Sequence, residues 1–299
     1  MATKTDLKDN SSASVIDDKV GHTSEDVQFQ TSEDRRQIGT VSAAFLIFNR
    51  IIGTGIFSTP SAILALTGSV GLSLFIWVAG MIIAILGCLV YLEFGMAIPR
   101  NGGEKNYLEA VYTRPRYLIT AMYASYIFLL GWASGNSVVF GEYILHAAQV
   151  DVDRWNQRGV ALACVTTAFI IHATNVRAGL WLQNVLGVIK LIVIAIIIVA
   201  GWAALGGHLK VEKPDNFTNA FEGTKGSAYG IVTALYNVIW SYIGYSNANY
   251  ALSETKNPIR TLKIAVPTGI ASVSVLYMLV NIAYFAAVPK KKSSVLVVL

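Results

Sequence analysis

Phe48-Asn49-Arg50-Ile51-Ile52-Gly53-Thr54-Gly55-Ile56-Phe57-Ser58-Thr59-Pro60 lies in the middle of a long apolar run, and it does not read as an ordinary helix. Inside a helix Gly costs roughly 1 kcal/mol and Pro about 3 relative to Ala. Two glycines followed by a proline therefore predict a break near Gly53 to Gly55, with Pro60 in the first turn of the helix that resumes. The flanks of this stretch are apolar enough to lie in lipid. A backbone break there exposes N–H and C=O groups that cost several kcal/mol each unless protein, water or a ligand pairs them.

Outward from this stretch, the chain of 299 residues is 54% hydrophobic and 14% charged, with a mean hydropathy of +0.52. A water-soluble domain carries nearer a quarter charged residues. Apolar runs of about 20 residues, each able to cross a hydrocarbon core of roughly 30 Å, recur at about 38–67, 71–97, 117–149, 159–176, 179–206, 228–252 and 262–288. They predict an all-α membrane protein with seven transmembrane helices over 38–289, preceded by a polar, disordered tail at 1–37.

Lys and Arg gather between the runs instead of forming one stripe, which argues for topology signals and against a nucleic-acid partner. Arg100, Lys105, Arg114, Arg116, Arg177, Lys256, Arg260 and Lys263 share one side with Arg35 and Arg36; Arg154, Arg158, Lys210, Lys213 and Lys225 take the other. The positive-inside rule makes the N-terminus cytoplasmic. The loop at about 207–227 is then external, and Asn216-Phe217-Thr218 within it is a candidate glycosylation site. Cys88 and Cys164 fall inside apolar runs and support neither a disulfide nor a metal centre. No metal, cofactor or catalytic constellation is expected; Glu142, His146 and His172 are isolated and read as packing or interfacial residues.

The sixth run, Asn237-Val238-Ile239-Trp240-Ser241-Tyr242-Ile243-Gly244-Tyr245-Ser246-Asn247-Ala248-Asn249, is polar where a plain span would be aliphatic, and is a second candidate break. A zwitterion suits such breaks. The half-helix that resumes offers N–H groups and a positive dipole end to a carboxylate, while the carbonyl end of the preceding half accepts from an ammonium group. The other reading is that the glycines let two helices pack closely.

Ile51-Ile52-Gly53-Thr54-Gly55-Ile56-Phe57, Pro99-Arg100-Asn101-Gly102-Gly103-Glu104-Lys105-Asn106-Tyr107 and Glu254-Thr255-Lys256-Asn257-Pro258-Ile259-Arg260 resemble, in order, the signature stretches of the amino acid–polyamine–organocation transporters. Within that superfamily the chain is most similar to the L-type branch and to fungal high-affinity methionine permeases. The resemblance implies a five-plus-five inverted-repeat (LeuT-like) fold with broken first and sixth helices, and secondary transport of an amino acid, methionine or another neutral one, by alternating access in the plasma membrane. It places Ile51, Gly53, Thr54 and Gly55 on the substrate's charged groups. It assigns carbonyls and a side-chain pocket to Trp240, Ser241 and Ile243, with Trp240 as an aromatic gate. Ile243 stands where L-type members often have glycine, a narrowing that suits a slim thioether.

Lys190, about eleven residues into its run and hence roughly 16 Å deep, needs an interior partner. Two roles are open: gaining and losing a proton as part of a symport, which the resemblance favours because some members place a lysine amine there in lieu of sodium, or a fixed strut on backbone carbonyls. Arg50 is a candidate inner-gate residue, with Glu93 and Glu254 as possible acidic partners, or a structural pair. Seven runs leave the second repeat with only its first two helices, and Lys290-Lys291-Lys292 before a short apolar end reads as a chain cut short. The rival function is an amino acid sensor or regulatory membrane partner that binds without turnover.

Overall fold

The computed structural model describes residues 38–129, 133–207 and 214–289. The tails expected at 1–37 and 290–299, with Lys210 and Lys213, lie outside the described residues. Among the described residues the structure is helical, without named strands. Its α-helices are α1 (Thr40–Ile51), α2 (Thr54–Thr67), α3 (Val70–Ala97), α4 (Glu104–Val111), α5 (Leu118–Leu129), α6 (Ala133–Ala147), α7 (Arg154–Thr174), α8 (Val176–Leu205), α9 (Ala228–Ser241) and α10 (Pro258–Ala287), with a 3-10 segment at Asn247–Glu254 before α10.

Four stretches, Val70–Ala97, Leu118–Ala147, Trp181–Leu205 and Pro258–Ala287, are long and apolar enough to cross a membrane, and the bent pair α1 and α2 makes a fifth. Two of the expected seven runs are absent from that set. The run at 159–176 forms α7, but its helix begins at the polar Arg154-Trp155-Asn156-Gln157-Arg158. The run at 228–252 is not one helix, because α9 stops at Ser241.

Helix starts follow local chemistry. Ser69, Asp153, Asn175 and Ser227 each accept a backbone N–H in the first turn of the helix that follows, a cap worth about 1 kcal/mol. Pro60 is a correction: α2 resumes directly at Thr54, so Pro60 sits inside the helix rather than in its first turn. The N–H groups of that first turn are left to Thr54, Gly55 and Ile56, which are the ones that can meet a ligand.

The core is built where α3 and α10 enclose the two interrupted segments. Trp77, Tyr242 and Tyr277 are wholly buried, with Tyr277 ring centroids 5.6 Å from Trp77 and 5.0 Å from Tyr242. Gly55 sits where α2 crosses α9: a Cβ there would lie 2.7 Å from the Cα of Ser241, so the crossing requires glycine. Cys88 is buried in this core and Cys164 half-buried, both as free thiols.

The loop before α9 straps the opposite end. The Lys225 amide donates to the Thr67 carbonyl at 2.8 Å, its Nζ to the Ala65 carbonyl at 2.8 Å, and the Ser69 and Thr224 hydroxyls share a hydrogen bond of 2.7 Å. Asn216 belongs to this strap. Its Nδ2 donates to the carbonyls of Phe285 at 2.7 Å and Val288 at 2.8 Å, and the residue is half-buried. A glycan on Nδ2 would remove one of the two hydrogens those bonds use.

Candidate functional site

The first run breaks where its glycines predict. α1 ends at Ile51, Ile52 is extended at φ −70° and ψ 104°, Gly53 is extended, and α2 restarts at Thr54 with a bend of 42°. The second break is the more irregular. After Ser241 the chain turns through Tyr242 to Ser246 before the 3-10 segment. Gly244 has φ +122°, and a Cβ on it would meet Arg50 Cγ at 2.5 Å, so this turn needs glycine on both counts.

The two breaks face one another across a pocket of about 260 Å3 lined by Arg50, Ile51, Gly53, Thr54, Gly55, Ser134, Gly135, Asn136, Trp240, Ser241 and Ile243. All seven residues singled out for substrate from the sequence stand on its wall. Drug-sized ligands occupy roughly 300–1,000 Å3, so the space suits a smaller molecule. α2 starts at the pocket without a side-chain cap, so it turns toward that space the first-turn N–H groups that in helices bind anionic groups.

Much of the opposite, carbonyl side is already paired by the protein. Lys190 Nζ donates to the carbonyls of Ile52 at 3.0 Å and Asn49 at 3.3 Å, and to Asn49 Oδ1 at 3.4 Å. Three acceptors for one ammonium match its three hydrogens, and this is the interior partner the sequence required. The Tyr277 hydroxyl lies 2.9 Å from the Ile51 carbonyl and 3.0 Å from the Ser241 carbonyl. It has a single hydrogen to give, shared between the two breaks.

Sequence reasoning missed two contributors to the site, Tyr277 and a third wall of the pocket formed by Ser134, Gly135 and Asn136. Thr54 Oγ1 donates to Asn136 Oδ1 at 2.8 Å, which brings α6 against the first break. Residues 134–136 carry small and polar side chains in an apolar run, a signal that was there to be read. Tyr277 carried none, being one tyrosine among the apolar residues of α10.

Arg50 reaches the pocket and lies beneath Gly244, exposed. It pairs with neither Glu93 nor Glu254: among the described residues the one ion pair is Lys105–Glu109 at 2.8 Å. Both proposed acids are themselves exposed. Glu142 accepts from Gln157 Nε2 at 3.4 Å, and His172 Nδ1 lies 2.9 Å from the Ala168 carbonyl; both are local contacts of α6 and α7. No group of three or more metal-ligating side chains occurs among the described residues.

Comparison with known proteins gives a family model described as amino acid permease, matched over residues 38–297. The chain is 56% identical over 269 residues to the high-affinity methionine permease of Saccharomyces cerevisiae, covering 89% of this chain and 47% of that protein. It is 36% identical over 266 residues to the low-affinity methionine permease of the same yeast, covering 87% and 48%. With the b(0,+)-type amino acid transporter 1 of Mus musculus it shares 38% over 276 residues, covering 90% and 54%. The chain thus spans about half the length of these relatives.

Proposed function

We propose that this chain, which belongs to the amino acid permease family, forms the binding pocket of an amino acid carrier that works by alternating access, with methionine as its preferred substrate. The observation that carries this reading is the meeting of two interrupted helices at one small pocket. Half-helix N–H groups on one side and carbonyls on the other match a molecule that bears a carboxylate and an ammonium on one carbon. Trp240 and Ile243 supply an apolar wall for its side chain, and the names of the yeast relatives support methionine.

The seven-span arrangement belongs to the same reading: α7 as the fourth span, α9 with the 3-10 segment as a broken sixth, within a five-plus-five inverted-repeat frame, and the N-terminus cytoplasmic in the plasma membrane. Lys190 is its coupling group. An ammonium there holds three oxygens at the first break; a neutral amine has one hydrogen fewer and must release one of them. Protonation and the shape of the break are thereby linked, the requirement for proton symport.

The test is uptake of labelled methionine by cells that lack their own methionine permeases, expressing this chain continued by the remaining half of the high-affinity methionine permease of Saccharomyces cerevisiae, since the chain alone spans about half of that relative. Accumulation above the external concentration that collapses with the proton gradient is the expected result. Binding without accumulation would identify a sensor instead.

A further inference from the structure

Asn101 and Glu104 of the second signature stretch, Pro99 to Tyr107, have no part in the pocket, yet their side chains reach across the molecule to one target. Glu104 Oε1 accepts from the Ser246 hydroxyl at 3.2 Å, and Glu104 Oε2 accepts from the Tyr250 hydroxyl. Asn101 and Ser253 pair reciprocally: the Asn101 amide donates to Ser253 Oγ at 3.2 Å, and the Ser253 amide to Asn101 Oδ1 at 2.7 Å. Tyr250 lies with its ring against Gly103. Every one of these partners belongs to the 3-10 segment or the turn before it, a few residues beyond the Trp240 to Ile243 wall.

The far end of the same segment is held differently. Ile38 pairs through its backbone with residues on either side of Thr255: its amide donates to the Glu254 carbonyl at 3.0 Å and its carbonyl accepts from the Lys256 amide at 2.8 Å. The segment is therefore fixed by main-chain bonds to the chain entering α1, and by side-chain bonds to the loop after α3. Beside Glu104 is a cavity of about 340 Å3 lined by Tyr91, Glu104, Met122, Tyr123, Tyr126 and Tyr250, so the Tyr250 ring borders open space on this side.

The geometry points to Glu104 as a latch: a positioning residue that holds the 3-10 segment against the loop after α3 and must give up Tyr250 and Ser246 before the pocket opens toward the face carrying that loop. Main-chain pairing to Ile38 makes the segment and α1 move as one body, so releasing Glu104 frees both halves that end at the pocket on this face. The gating part of this inference rests on the carrier reading; the latch itself does not.

Hydrogen–deuterium exchange on the full chain in lipid nanodiscs tests it. Glu104→Gln weakens both bonds, and Tyr250→Phe removes one hydroxyl while keeping the ring. Each is expected to speed exchange of amides 247–254 and of Ile38 by about tenfold, the scale of one hydrogen bond to a charged group, with α8 and α10 unchanged. The double variant should exchange faster than either single variant by less than the product of their effects, because the substitutions act on the same contact. Unchanged exchange, or a rise spread over all helices, would overturn the latch. Added methionine separates the two ideas: exchange that responds to Glu104→Gln but never to methionine keeps the latch and counts against the carrier.

Discussion

The hydroxyl of Tyr277 stands 2.9 Å from the carbonyl oxygen of Ile51, 226 residues away in sequence, and it is wholly buried. The same oxygen lies 3.0 Å from the Ser241 carbonyl, so one phenol on a continuous helix spans both interruptions. Tyr277→Phe keeps the ring and leaves two buried carbonyls short of a donor. A stability loss of about 1–3 kcal/mol is expected by denaturant titration, together with weaker methionine binding, since Ile51 and Ser241 both line the pocket.

Gly55→Ala places a methyl 2.7 Å from the Cα of Ser241. Backbone cannot yield as a flexible side chain does, so α2 and α9 must part. An overpacking cost of about 1–3 kcal/mol is expected, and methionine affinity should fall more than for Gly53→Ala, whose methyl would come no nearer than 3.9 Å to the Ile51 carbonyl oxygen. Comparing binding isotherms of the two variants checks this and decides between packing and backbone freedom as the reason for each glycine.

Lys190→Met retains the length of the side chain and removes the three bonds to Asn49 and Ile52. If the amine couples protons, methionine exchange between the two sides persists at reduced rate while accumulation driven by a pH gradient disappears. Loss of both together, with a collapse of the fold seen by circular dichroism, would mark the amine as a strut alone.

Asn216 is expected to carry no glycan. Its amide holds the carbonyls of Phe285 and Val288 at the end of α10, so glycosidase treatment of the protein from a eukaryotic host should leave its electrophoretic mobility unchanged. Asn216→Ala should lower thermal stability by about 1 kcal/mol or somewhat more.

Outside the spans, Glu109 gives a pH signature. Hydrogen bonds from Lys105 and Thr120 hold its carboxyl below the usual 4.5. A carboxyl lowered on folding contributes stability above its unfolded value and loses that contribution as pH falls through the lower, folded value. Exchange at α4 should therefore quicken on acidification below 4.5, and Glu109→Gln should abolish that dependence.

How much of this was legible in the sequence differs by element. The first break was, because glycine and proline act on the backbone locally; that Gly55 also lets α2 pack against α9 was the other reading of the same residues. The place of Pro60 was not: where the helix restarts depends on Gly53 being extended, which leaves Thr54 as the first helical residue. The second break was half visible. Composition flagged it, but the turn depends on Gly244 meeting Arg50, a contact between distant residues. Tyr277, Asn136 and the partners of Glu104 act across separations of 226, 82 and about 140 residues, and no periodicity records such pairings. For Arg50 charge alone suggested an acidic partner, and neither Glu93 nor Glu254 pairs with it among the described residues.

The most direct measurement is equilibrium binding of L-methionine to the chain in nanodiscs, beside its methyl ester, which lacks the carboxylate, and its deaminated acid, which lacks the ammonium. A pocket made of N–H groups on one side and carbonyls on the other should bind methionine at least about tenfold more tightly than either analogue, the worth of one charge-assisted hydrogen bond. Equal binding of all three, or of methionine and one analogue, would contradict the pairing of the two breaks as a site for a zwitterion.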